Sequence, residues 1–111
     1  MDIRFRNNRL RDDCNESRRS KRRYGGEMAK VIAQRLQELE AARTLEDLRN
    51  LPGRLHELRG TRARQLSLDL RGPKRLIFAP ADDPTPLAPD GGLDWAQVTA
   101  VEIIGVEDPH E

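Results

Sequence analysis

Residues 65–78, QLSLDLRGPKRLIF, alternate Leu66, Leu68 and Leu70 with Ser67, Asp69 and Arg71, then pass Gly72 and Pro73 before running apolar through Leu76, Ile77 and Phe78. Period two is the mark of a half-buried strand and Gly-Pro of a turn, so this stretch predicts a β-hairpin. The same alternation over residues 2–6 sets Ile3 and Phe5 on one face and predicts a short first strand. At the other end, Val98, Val101, Ile103, Ile104 and Val106 form a β-branched run that predicts a central strand, with Gly105 as a candidate bulge.

Between the first strand and the hairpin the period changes to that of helices. Asn7 or Asn8 can cap a helix in which Leu10, Cys14, Ser17 and Tyr24 fall near one stripe, while Arg18, Arg19, Lys21, Arg22 and Arg23 crowd its end, where cations suit the macrodipole. Gly25 and Gly26 stop it. Met28, Val31, Ile32, Leu36 and Leu39 recur at spacings of three and four, which predicts a second helix over 27–43, paired with the first as a hairpin. Asn50, Pro52 and Gly53 then turn the chain into RLHELRG, expected to give Leu55 and Leu58 to the core and to present His56 and Arg59. Residues 79–97, rich in Pro, Gly and Asp, read as a surface loop. The fold class expected is α+β: an N-terminal strand and a two-helix hairpin packed on a small, curved, mainly antiparallel sheet.

With 111 residues the chain has room for one core, so residues 1–111 are expected to form one domain. No stretch approaches the roughly 18 to 20 apolar residues of a membrane span, and the start, MDIRFRNNRLR, has no apolar signal region, so a soluble cytoplasmic protein is expected. One cysteine, Cys14, cannot close an internal disulfide, and with only His56 and His110 beside it the chain has few soft ligands for a zinc site. Cys14 reads as a small buried apolar group, and no cofactor is called for.

Charge changes the picture more. All 20 Lys and Arg lie in residues 1–75 beside 11 Asp and Glu, a net of +9, whereas residues 76–111 carry eight acids and no Lys or Arg, a net of −8. Clustered cations are the footprint of a polyanion-binding face, although charge runs on helices are also often plain solvated surface.

The order of these elements, together with the stretch LPGRLHELRGTRARQLSLDLRGPKRLIFAP and the ending VTAVEIIGVEDPHE, resembles the RelE/ParE superfamily of bacterial toxins, most closely the HigB-like killer proteins of plasmid maintenance systems. The resemblance spans nearly the whole chain. It implies a RelE-like fold and a type II toxin-antitoxin system: an endoribonuclease (mRNA interferase) that cuts messenger RNA on the ribosome, is held inactive by a HigA-like helix-turn-helix antitoxin, and forms a heterotetramer with it. Carried over position by position, His56 and Arg59 match the LHxLK/RG motif, Arg75 the arginine of the "RLIF" strand, and Asp108 and His110 the acid and histidine that close the last strand. The basic residues around the sheet, here Arg54, Arg62, Arg64 and Lys74, are implied to hold the RNA.

The chemistry asked of such residues is definite. Metal-free RNA cleavage uses the 2′-hydroxyl as nucleophile and needs a base for its proton, an acid for the departing 5′-oxygen, and cations around the phosphorane. A histidine, with a reference pKa near 6.5, can be base or acid near neutrality. Each candidate also has a structural reading. His56 can be a ring hydrogen-bonded within the turn, His110 a frayed terminal residue, and Arg75 an exposed rim arginine rather than a phosphate clamp. Asp108 suits orienting a cation better than acting as base. Two other functions need neither histidine: a ParE-like poison of DNA gyrase, and a basic RNA-binding module whose helices dock a partner.

Overall fold

A computed structural model describes residues 1–108 of the chain. The elements in order are β1 (Asp2–Phe5), α1 (Asn8–Asn15), α2 (Ser17–Tyr24), α3 (Gly26–Ala41), a short 3₁₀ turn at Leu45–Leu48, β2 (His56–Glu57), a second at Gly60–Arg62, β3 (Leu66–Asp69), β4 (Arg75–Pro80), a third at Trp95–Gln97, and β5 (Ala100–Glu107). The class is α+β, with three helices and a mixed five-stranded sheet in the order β1-β5-β4-β3-β2. Only β1 with β5 is parallel; the remaining pairs are antiparallel.

The helical region departs from the expected two-helix hairpin. Asn7 is the cap, its side chain accepting from the Leu10 N–H at 2.8 Å, but α1 stops after Asn15 because Glu16 takes an extended backbone (φ −89°, ψ 115°). The break resets the helical phase, so Ser17 is exposed and Ser20 is the residue of α2 that is buried. Gly25, at φ +87°, then ends α2 and opens α3, a left-handed step that suits glycine. In α3, Ile32, Leu36 and Leu39 of the predicted stripe are buried together with Ala29, whereas Met28 and Val31 are half-buried and pack against the core cluster.

That stripe covers one face of the sheet. Leu66, Leu68 and Leu70 from the first arm of the hairpin, Leu76 and Phe78 from the second, and Val101 and Ile103 from β5 meet Ile32, Leu36 and Leu39, with Leu45, Leu48, Leu55 and Val98 closing the sides. The pairing Leu66 with Phe78 and Leu68 with Leu76 is the register that keeps every leucine of the alternation on the covered face. Leu58 is a correction: it is half-buried and lies outside this cluster. Val98 is buried but precedes β5 rather than beginning it.

Two irregularities shape the opposite face. The β4–β5 register shifts between Ile77, opposite Gly105, and Phe78, opposite Ile103, so β5 carries one extra residue at Ile104–Gly105. The bulge expected at Gly105 is there, and it lets both Ile103 and Val106 pack toward the core. Gly53, at φ +110°, is buried where an added Cβ would stand 2.9 Å from Arg35 Nε and 3.2 Å from Leu68 Cδ2. That close approach bends the chain from the helical layer into β2, and Arg35 Nε donates to the Asp69 carbonyl at 2.9 Å to hold it.

The loop after β4 is less irregular than its composition suggests. Asp82 accepts from the Thr99 N–H, the Thr99 hydroxyl and the Ala100 N–H at 2.6–3.1 Å, which ties the loop to the start of β5. Partial burial alone would push the Asp82 carboxyl up, but those hydrogen bonds outweigh it and its pKa is lowered. Trp95 Nε1 donates to Glu57 at 2.7 Å while Arg49 stacks 4.5 Å from its ring centre, so the loop is also joined to β2. No helix among the described residues is long and apolar enough to cross a membrane.

Candidate functional site

The strand alternation that sends leucines into the core sends Ser67, Asp69, Arg75 and Ile77 to the uncovered face. There a half-open cleft of about 430 Å³ is lined by His56, Leu58, Arg59, Arg62, Arg75, Ile77 and Glu107. Ile77 is buried yet absent from the helix-covered cluster, and with Leu58 it supplies the apolar part of the cleft. Four positions named from the sequence, His56, Arg59, Arg62 and Arg75, are thereby brought together from separate elements.

His56 sits on the two-residue edge strand β2, exposed and directly opposite Ser67. Its Nδ1 lies 3.1 Å from the Arg54 carbonyl oxygen, which can only accept, so the neutral ring carries its proton on Nδ1. Nε2 then accepts from the Ser67 hydroxyl at 3.2 Å. Ser67 is fully buried, so the ring also satisfies a hydroxyl that has lost water. The structural and functional readings of this histidine are therefore compatible: the ring is fixed by the turn and faces the cleft.

The cations are paired, with one exception. Arg62 makes a bidentate fork to Glu107, Nη1 to Oε1 at 2.6 Å and Nη2 to Oε2 at 2.9 Å, while its Nε donates to Gln65 at 2.8 Å. The Arg62 hydrogen bonds hold the Glu107 carboxyl below the usual carboxylate range, against partial burial that would raise it, and the charges of Arg62 and Arg6 add to the lowering. Asp69 bridges two arginines, accepting from Arg75 Nη1 at 2.8 Å and from Arg54 Nε at 2.7 Å. Arg59, among the described residues, has neither an ion pair nor a side-chain hydrogen bond. With two carboxylates facing Arg54, Arg59, Arg62 and Arg75, the cleft keeps a surplus of two positive charges.

The other predicted positions stand around this cleft. Arg54 reaches Asp69 from the rim and takes a left-handed backbone at φ +49°. Arg64, exposed on the loop before β3, is likewise left-handed at φ +76°. Lys74 precedes β4 and Asp108 follows β5, each one residue beyond the register pair Arg75 and Glu107. His110 lies outside the described residues. Cys14 is buried and its thiol is pushed up to about 11, first by burial, which suits the small apolar role read for it. Among the described residues no group of three or more His, Cys, Asp and Glu side chains is arranged to hold a metal ion.

Glu107, Asp69, Ser67 and Ile77 are the residues that the sequence reading left out of the site. The alternation does put Ser67, Asp69 and Ile77 on the face opposite the leucines, but nothing local says that this face meets β2 and the end of β5. No protein-family model and no curated protein sequence matches this chain.

Proposed function

We propose that this protein is a RelE/ParE-type toxin of a type II toxin-antitoxin system, an endoribonuclease that cuts messenger RNA on the ribosome in the cytoplasm. The observation that carries the reading is the convergence of His56, Arg59, Arg62 and Arg75 in one cleft on the open face of the sheet. It joins the sequence resemblance, which names His56, Arg59 and Arg75 among its matched positions and Arg62 among the RNA-holding cations, and an element order of strand, helical layer and antiparallel strands like that of a RelE-like fold.

In this reading a phosphodiester lies over Ile77 with its non-bridging oxygens toward Arg59 and Arg75. Arg59 is available without breaking a contact, and Arg75 is held in place by Asp69, ready to face charge that develops in the phosphorane. His56 accepts or delivers a proton at Nε2, with Ser67 and the Arg54 carbonyl keeping the ring in orientation. Arg62 grips the RNA backbone when a phosphate takes over from Glu107. The antitoxin, a helix-turn-helix protein, is expected to bring carboxylates to the same cations, with association that slows as salt rises.

The test is to add the protein to a translating extract and to determine the chemistry of the new RNA ends. Attack by the 2′-hydroxyl leaves a 2′,3′-cyclic phosphate or its opened product, and a 3′-hydroxyl end would overturn the mechanism. DNA damage in cells with intact messenger would instead support the gyrase-poison reading, and RNA binding with neither effect the binding-module reading.

A further inference from the structure

A second charged region has no part in that mechanism. Helices α1 and α2 carry Arg9, Arg18, Arg19, Lys21, Arg22 and Arg23 on a stretch whose only acids, Asp12, Asp13 and Glu16, already face Arg11 and Arg19. Elsewhere most arginines have a carboxylate: Arg35 with Glu38, Arg43 with Asp47, Arg49 with Glu46, and Arg71 with Glu27. Among the described residues Arg9, Arg18, Lys21 and Arg22 have none, and Arg23 lies only over the Tyr24 ring, 6.0 Å from its centre.

The arrangement works against the helix that bears it. Arg18 repels Lys21 and Arg22 at spacings of three and four, and Arg19 repels Arg22 and Arg23, a cost set against the macrodipole at Lys21, Arg22 and Arg23 and against the carboxylates of Asp12, Asp13 and Glu16 on Arg19. What it packs inward is slight, with Ser20 its one buried residue.

Two concavities follow these cations. One, of about 340 Å³, is lined by Arg9, Asp13, Arg19, Arg22 and Arg23, and Asp13 is already taken by Arg19 at 2.9 Å. The next shares Arg9, Asp13 and Arg23 with it and continues past Arg6 to Ile104, Gly105 and Val106 of β5. Gly105 is the register partner of Ile77, which lines the candidate cleft, so strand β5 alone separates the two regions. Arg6 also acts electrostatically on Glu107 of that cleft.

We propose that the α1–α2 face is a second RNA-binding surface, which takes the phosphodiester backbone of a strand that reaches the cleft across the Gly105 end of β5. The inference rests on the proposed function only for where that strand leads. RNA is favoured over an acidic protein because the first concavity and the exposed side of α2 offer cations without an apolar centre, the apolar residues Leu10, Tyr24, Ile104 and Val106 being confined to the second concavity, against β5. Protein interfaces bury an apolar, largely uncharged core, whereas α2 exposes only Ser, Lys and Arg, and the large exposed apolar residues, Leu51 and Leu87, are elsewhere. Backbone binding asks for nothing but cations, and arginine forks match phosphate oxygens.

The experiment titrates the full chain with a fluorescein-labelled single-stranded oligouridylate at several salt concentrations. The variant R9Q/R22Q/R23Q should lower the slope of log affinity against log salt by roughly 2, since each phosphate contact to a single strand contributes about 0.7. The control R43Q/R49Q, which removes paired cations, should leave the slope unchanged, and thermal unfolding should show both variants folded at the temperature of the titration. An unchanged slope in a folded R9Q/R22Q/R23Q overturns the proposal, as does polyglutamate that displaces the oligouridylate as well as unlabelled RNA does. If the parent never cuts messenger but the variant still loses slope, the nuclease reading falls and this surface stands. If the parent cuts and the slope is unmoved, the reverse holds.

Discussion

The two faces of the sheet are made by residues one position apart in the same strands, and they have opposite physics. On the covered face Leu66, Leu68, Leu76 and Phe78 are dry against α3, and none has a polar atom in its side chain to satisfy. On the open face Ser67, Asp69 and Arg75 each have a specific partner, His56, Arg54 with Arg75, and Asp69 respectively. Non-directional burial supports the first face and directional hydrogen bonds organise the second, so a substitution should be felt as lost stability on one and as altered chemistry on the other.

The largest effect expected from this contrast is Phe78→Ala. The ring is fully buried on the covered face of the sheet, and its removal leaves a cavity worth about 3 to 5 kcal/mol, a large part of a stability that is on the order of 5 to 15. Denaturant unfolding measures it; a loss below about 1 kcal/mol would mean that the covered face is not the core.

Arg75→Ala, three positions earlier on the same strand but on the other face, should do the converse. Loss of a cation aimed at developing phosphate charge costs roughly 10²- to 10³-fold in cleavage, while a rim ion pair with Asp69 contributes on the order of 0 to 1 kcal/mol to folding. A soluble variant that remains fully toxic in growing cells would break the comparison.

Ser67→Ala tests whether the buried hydroxyl serves the ring or the fold. Its loss removes one hydrogen bond, worth about 0.5 to 1.5 kcal/mol, and frees His56 Nε2 to water. The rate of cleavage should fall with it, and a rate equal to the parent's would leave the Ser67–His56 contact with a structural role alone.

Glu107→Gln has the smallest effect. The carboxyl is held below its ordinary range by the Arg62 fork, so the pair contributes stability above the ordinary carboxylate pKa and loses it as the pH falls through the lowered, folded value. Both partners are partly exposed, which limits that contribution to about 1 kcal/mol or less. Thermal unfolding from neutral pH into the acid range should fall less steeply in the variant, and Arg62, released, should bind RNA at least as well as in the parent.

Much of this was legible in the chain before it folded. Alternation at residues 66–70, the stripe of Ile32, Leu36 and Leu39, the Asn7 cap and the Gly105 bulge are local patterns, each set by one residue's neighbours within a turn or a strand, and they identified the α+β class and most of the core. The break at Glu16 was not legible, because the stripe from Leu10 to Tyr24 continues across it and only packing on β1 and α3 shows which side of α2 turns inward. Leu58 failed for a related reason: being apolar and three residues after the core residue Leu55 does not say which face of the sheet it joins once β2 has ended at Glu57.

The site divides in the same way. His56, Arg59, Arg62 and Arg75 were marked by residue type and resemblance, but their meeting in one cleft depends on β2 pairing with β3 and β4 with β5, the latter joining residues as far apart in sequence as Arg75 and Glu107. The same pairings choose the partners that decide each group's charge environment, Glu107 for Arg62 at a separation of 45 residues and Asp69 for both Arg54 and Arg75. A sequence determines which faces are apolar because that is a property of neighbours. Which polar groups face one another across those faces is a property of register, and register exists only once the sheet has closed.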